Sequence, residues 1–98
     1  MAKTRTTTTR WDAADHLKTD RDVLAYLEAA FEDGDPGVIA AALGDIARAK
    51  GMTRVARQAG LGRESLYKSL SAEGNPELAT ILRVVRALGI KLHAVPAR

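Results

Sequence analysis

Apolar positions recur at three- and four-residue spacing along most of this chain and change period only near its end. Val23, Leu24, Leu27, Ala30 and Phe31 form one face of a helix that starts near Thr19 or Asp20 and stops at Gly34. Thr19 with Asp22 three residues later resembles a capping box, and the early acids suit the helix dipole. Asp35-Pro36 restarts the chain as an N-cap acid followed by proline at the first helical position. From Pro36 to Lys50, Ile39, Leu43 and Ile46 make the buried stripe with Ala42 and Ala47 alongside, and Gly51 closes it. Pro76 is placed to open a last helix whose core face is Leu78, Ile81, Leu82, Val85 and Leu88, stopped by Gly89. Beyond it Ile90, Leu92 and Ala94 alternate with Lys91, His93 and Val95, which predicts a short strand. A lone strand cannot satisfy its own backbone. Pairing with its copy in a second molecule is one remedy, and packing on the core is the other.

Between these helices, residues 52–71 read MTRVARQAGLGRESLYKSLS. With Met52 as position one, small Ala56 is fifth, Gly60 ninth, Leu61 tenth and Leu66 fifteenth. Ala56 lets a second helix cross closely, and Gly60 supplies the positive φ that reverses the chain. Val55, Leu61 and Leu66 bury the inner faces. This is the pattern of a DNA-binding helix-turn-helix, with helices over roughly 53–59 and 63–70. Together the elements predict an all-α, five-helix domain with a short C-terminal strand. The chain divides into a threonine-rich basic tail (1–10) expected to be disordered, an acidic helical segment (11–34) and a helix-turn-helix domain (35–98).

Composition sharpens this picture. Hydrophobic residues are 46% of the 98 but aromatics only 4%, which suits closely packed helices. There is no cysteine, so disulfides and thiolate metal sites are excluded and a reducing cytoplasm fits. No apolar run suits a membrane span, and the N-terminus has no secretory h-region. The net charge of +3 is unevenly spread: residues 1–10 carry +3, residues 11–35 carry −6 and residues 36–98 carry +6. A basic module behind an acidic one suggests a polyanion for the first and a basic surface for the second, unless the acids only solvate a helix face.

Helix-turn-helix geometry assigns roles. Arg63 can grip guanine O6 and N7, and Lys68, a turn and a half on, is expected near the same face. Glu64 can accept from cytosine N4 or repel phosphates, and Ser65 can offer a hydroxyl or sit against the preceding helix. Thr53, Arg54 and Arg57, with the amides of the helix that starts there, are placed to hold phosphate. The Tyr67 ring can pack on the core edge while its hydroxyl touches phosphate. Asn75 reads as a cap for the helix at Pro76, and Arg83 and Arg86 as solvated side chains. Catalysis finds no support. His16 and His93 lack a metal spacing, and Asp12, Asp15 and His16 line a solvated turn. Ser65, Ser69 and Ser71 have no histidine to activate them, and no glycine loop cradles phosphate. No cofactor is expected.

Five helices around a helix-turn-helix resemble the lambda-repressor-like DNA-binding fold. From Trp11 to Leu92 the chain is similar to the addiction-module antidote family, relatives of the HigA antitoxins. The most specific pieces are FEDGDP (Phe31–Pro36), GDIARAKGM (Gly44–Met52) and GRESLYKSLSAEGNPE (Gly62–Glu77). The resemblance implies an antitoxin encoded beside a RelE/HigB-like, ribosome-dependent mRNA interferase. Such an antitoxin neutralises the toxin by direct binding and represses its own operon. On that footing Glu28, Glu32 and Asp33 complement a basic ribonuclease, and Trp11 either anchors that partner or folds back on the first helix. A homodimer on a palindromic operator completes the expectation. The competing readings are a stand-alone prophage-type repressor and a protein-interaction module that has lost DNA binding.

Overall fold

A computed structural model describes residues 13–97; the N-terminal tail and Trp11 lie outside them. A 3-10 turn, Ala13–His16, tucks Ala13 into the core and delivers Leu17 to it. Thr19 then caps α1 (Asp20–Asp33). Its hydroxyl accepts from the Asp22 amide at 3.1 Å while the Asp22 carboxylate accepts from the Thr19 and Lys18 amides at 3.2 Å. Two donors that a helix start leaves orphaned are thus satisfied reciprocally. Gly34, in the left-handed region at φ 82°, ends α1, and Asp35 caps α2 (Pro36–Lys50) by accepting from the Val38 amide at 3.1 Å.

The central helix is α2, which packs against α1, α3 and the 3-10 turn. Leu43, Ile46 and Ala47 on it are fully buried. Small residues let the chain pass close by. A Cβ at Gly37 would stand 2.7 Å from the Ala72 carbonyl oxygen, and one at Gly44 would overlap the Leu70 carbonyl oxygen. These glycines, seven residues and therefore two turns apart, seat the segment that leaves α4 directly on α2.

α3 (Met52–Ala59) and α4 (Arg63–Ser69) follow, and α5 (Leu78–Ala87) packs on α3. One core joins all five helices: Val23 and Leu27 of α1, Leu43 and Ile46 of α2, Val55 of α3, Leu66 of α4 and Val84 and Val85 of α5. Burying each such aliphatic side chain contributes about 1.5–3 kcal/mol.

Three expectations need correction. First, α5 begins at Leu78 after the extended Glu77, without a side-chain cap, rather than at Pro76. The loop folds back on α4, with the Gly74 amide donating to the Ser71 carbonyl at 2.9 Å, so the chain runs extended through Asn75–Glu77 to reach α3. Asn75 therefore caps nothing.

Second, Leu24 and Phe31 of α1 and Leu78 and Leu82 of α5 are exposed, at 51%, 44%, 68% and 49% of their surface. Val23, Leu27 and Ala30 carry the core face of α1, and half-buried Ile81 with Val84, Val85 and Leu88 that of α5. Aliphatic residues lie on two adjoining stripes of each helix, and packing on the neighbouring helix selects one.

Third, no strand forms among the described residues. Ile90 is taken by the end of α5: its amide donates to the Val85 carbonyl at 3.0 Å, the Gly89 amide to Arg86 at 3.0 Å, and its side chain packs on the core. Leu92 and Ala94 run on in irregular, exposed chain. Among the described residues there is no second strand to complete a ladder.

Candidate nucleic-acid interface

The turn between α3 and α4 repeats the device that ends α5. The Leu61 amide donates to the Ala56 carbonyl at 2.9 Å and the Gly60 amide to Arg57 at 3.1 Å, with Gly60 at φ 72°. This is a Schellman motif, which needs a left-handed residue and puts an apolar side chain against the helix it closes. Leu61 fills that role by packing on the core. Met52, Val55, Ala56 and Ala59 face inward from α3, so Thr53, Arg54, Arg57 and Gln58 face outward. Neither α3 nor α4 has a side-chain cap at its start.

On α4, Leu66 is buried, and Leu70 just beyond it anchors the helix end. Arg63, Glu64, Ser65, Tyr67 and Lys68 are all exposed. Glu64 and Lys68, four apart, project together from the outward face, and Arg63 aligns with Tyr67. Five residues of helix turn through about 500°, so Arg63 and Lys68 point roughly 140° apart rather than along one line. Lys68 stands with Glu64 at the middle of the outward face, and Arg63 at its edge beside the buried Leu66 and Leu70. Tyr67 is 57% exposed and lines a depression together with Gly44, Met52 and Leu70.

Arg54, Arg57, Arg63 and Lys68 have no ion pair or side-chain hydrogen bond among the described residues, where the ion pairs are Arg48–Asp45 at 3.1 Å and Lys50–Asp20 at 3.4 Å. Four cations on one helix pair without an internal ion pair, against Glu64 alone, suit a polyanion: Arg supplies a bidentate fork, Lys a point charge. Arg83 and Arg86 are exposed on α5 as expected, and they flank Gln58 across a shallow depression. Among the described residues no group of three or more His, Cys, Asp or Glu side chains could hold a metal ion. Among the described residues no helix is long and apolar enough to cross a membrane.

The sequence reading missed the junction of Tyr26, Asp45 and Arg48. The Tyr26 hydroxyl donates to the Asp45 carboxylate at 2.5 Å, and Arg48 pairs with the same carboxylate. The Asp45–Arg48 spacing was visible as an i, i+3 pair. Tyr26 lies nineteen residues away and gave no such signal.

These features define a class: a small all-helical domain carrying a helix-turn-helix with an exposed second helix. Residues 7–96 match the family described as "Probable addiction module antidote protein". The chain is also 41% identical over 88 residues to an uncharacterised protein of Haemophilus influenzae, an alignment covering 90% of this chain and 91% of the relative. No solved structure matches it significantly. The chain therefore belongs to the addiction module antidote family, a regulatory family named for counteracting a toxin.

Proposed function

We propose that the chain is the DNA-binding antitoxin of a type II toxin–antitoxin module. It neutralises a RelE/HigB-like mRNA interferase by direct contact in the cytoplasm and represses its own operon as a homodimer. The observation that carries the DNA-binding half is the exposed face of α4, where Arg63 and Lys68 stand without internal partners inside an antidote-family chain. Arg63 reads guanine through O6 and N7, Glu64 accepts from cytosine N4, and Ser65 and Lys68 add contacts along the groove. Thr53, Arg54, Arg57 and the Tyr67 hydroxyl hold phosphates, which fixes register and supplies salt-dependent affinity. Two copies on a palindrome set their recognition helices about 34–36 Å apart. The acids of α1, Glu28, Glu32 and Asp33, face the basic toxin, and Trp11 adds an aromatic anchor.

Two measurements test this reading. Inducing the neighbouring gene alone should arrest growth, and co-expressing this chain should relieve the arrest. Gel-shift titration on the chain's own upstream DNA should give an affinity that falls steeply with salt. Lack of arrest combined with retained DNA binding would leave a stand-alone repressor. Lack of duplex affinity would leave an interaction module.

A further inference from the structure

A groove of about 410 Å³ runs between α1 and α2. Ala29 and Ala30 line it from α1, Gly37 and Ala41 from α2, and Ala72 from the segment docked on α2. Ala41 and Ala72 also line an adjoining depression of about 240 Å³ that reaches Asp45 and Tyr67. Tyr26 and Val38 also line the groove, so the floor is alanine methyl groups and backbone with one aromatic ring and one valine among them. At the α1–α2 turn two carboxylates form the rim. Among the described residues Asp33 accepts only from the Asp35 amide at 3.2 Å, and Asp35 only from the Val38 amide at 3.1 Å. No cation among the described residues pairs with either.

We propose that this groove seats a basic segment of the cognate toxin, with the aliphatic stem of a lysine or arginine on the alanine floor and its charged head against Asp33 and Asp35. The inference rests on the antitoxin reading and narrows it. Long cationic side chains bury their methylenes on apolar surface while the head seeks charge, and the lining of this groove holds both alanines and the two carboxylates. Glu28 does not line it, and Glu32 faces a different hollow beside Val95 and Pro96. These two acids add to the field that draws a basic partner in, whereas Asp33 and Asp35 make the contact.

The test titrates the purified product of the adjacent gene against the full chain by calorimetry. Asp33→Lys reverses a rim charge and gives up the bond from the Asp35 amide, but that bond is exposed, so water can replace it, and the helix dipole favours a cation there, so the fold tolerates the change. Ala29→Trp fills the groove from an exposed position. Each should weaken toxin binding about tenfold or more while leaving the melting temperature unchanged. Glu28→Lys, the same reversal on the same helix outside the groove, should cost less than about threefold. Equal losses from Glu28→Lys and Asp33→Lys would reduce the contact to a diffuse field and overturn the groove, with the antitoxin reading intact. A change of oligomeric state in Ala29→Trp without loss of toxin affinity would assign the groove to a second copy of this chain, also overturning it. Absence of any binding by the unmodified chain would remove the antitoxin reading itself, and the groove proposal with it.

Discussion

The Tyr26 hydroxyl and the Asp45 carboxylate, 2.5 Å apart, tie α1 to the middle of α2. Burial first, and then the bond to Asp45, push the Tyr26 hydroxyl up from its ordinary 10.0 to about 12. A group whose pKa is higher in the folded state contributes stability below its unfolded value and loses it as pH climbs through the folded one. Urea denaturation across pH 9–12.5 should therefore show a stability decline between about 10 and 12 that is shallower in Tyr26→Phe. At neutral pH that variant should lose about 1 kcal/mol, because Arg48 still satisfies the carboxylate. Superimposable alkaline profiles would show that the bond contributes nothing.

Gly44 and Gly60 are required for different reasons, and alanine should separate them. At Gly44 the new Cβ would overlap the Leu70 carbonyl oxygen, backbone that cannot swing aside. At Gly60 the space is open and only the left-handed backbone at φ 72° opposes a side chain. Thermal melts should show Gly44→Ala costing about 3 kcal/mol or more, against about 1–2 kcal/mol for Gly60→Ala. The reverse order would mean that α2 does not seat the segment after α4.

Arg63→Ala combined with Lys68→Ala should abolish specific operator binding while stability moves by less than about 0.5 kcal/mol, as exposed positions allow. Gel shifts at two salt concentrations and a melting curve check both halves. Undiminished operator affinity in the double variant would remove α4 as the reading helix.

Thr19→Ala should cost about 1 kcal/mol by unmaking the cap of α1. Its amide, with that of Lys18, holds the Asp22 carboxyl below its ordinary 3.8. A lowered pKa contributes stability above the unfolded value that is lost as pH falls through the folded one. Acid titration of unfolding should accordingly show Asp22→Asn, which has no carboxyl to titrate, less sensitive below about pH 4 than the parent chain, whereas Thr19→Ala keeps both amides.

Local chemistry made most of the fold legible. Thr19–Asp22, Asp35-Pro36 and Gly60 each specify a boundary through neighbours within four residues, and each stands where the sequence puts it. What failed to be legible was decided by distant partners. Leu78 and Leu82 fit an apolar stripe as well as Val84 and Leu88 do, and only packing against α3 separates the two. The alternation at Ile90, Leu92 and Ala94 has the period of a strand, yet Ile90 is claimed by the end of α5. At the interface, the exposed identities on α4 were readable from the motif. The angular separation of Arg63 and Lys68 followed from helix geometry once five residues were counted as turns. Tyr26 and the groove beside it depend on contacts between helices, which one sequence does not reveal.

The docking of Leu70–Ala72 on the glycines of α2 has a consequence for how such a protein can change. What holds α4 in place is inward or C-terminal to it: Leu66, Leu70 and two bare backbone patches on another helix. Arg63, Glu64, Ser65 and Lys68 are exposed and stand outside that support, so on the proposed DNA-binding reading the same scaffold can carry a different set of contact residues without losing its fold.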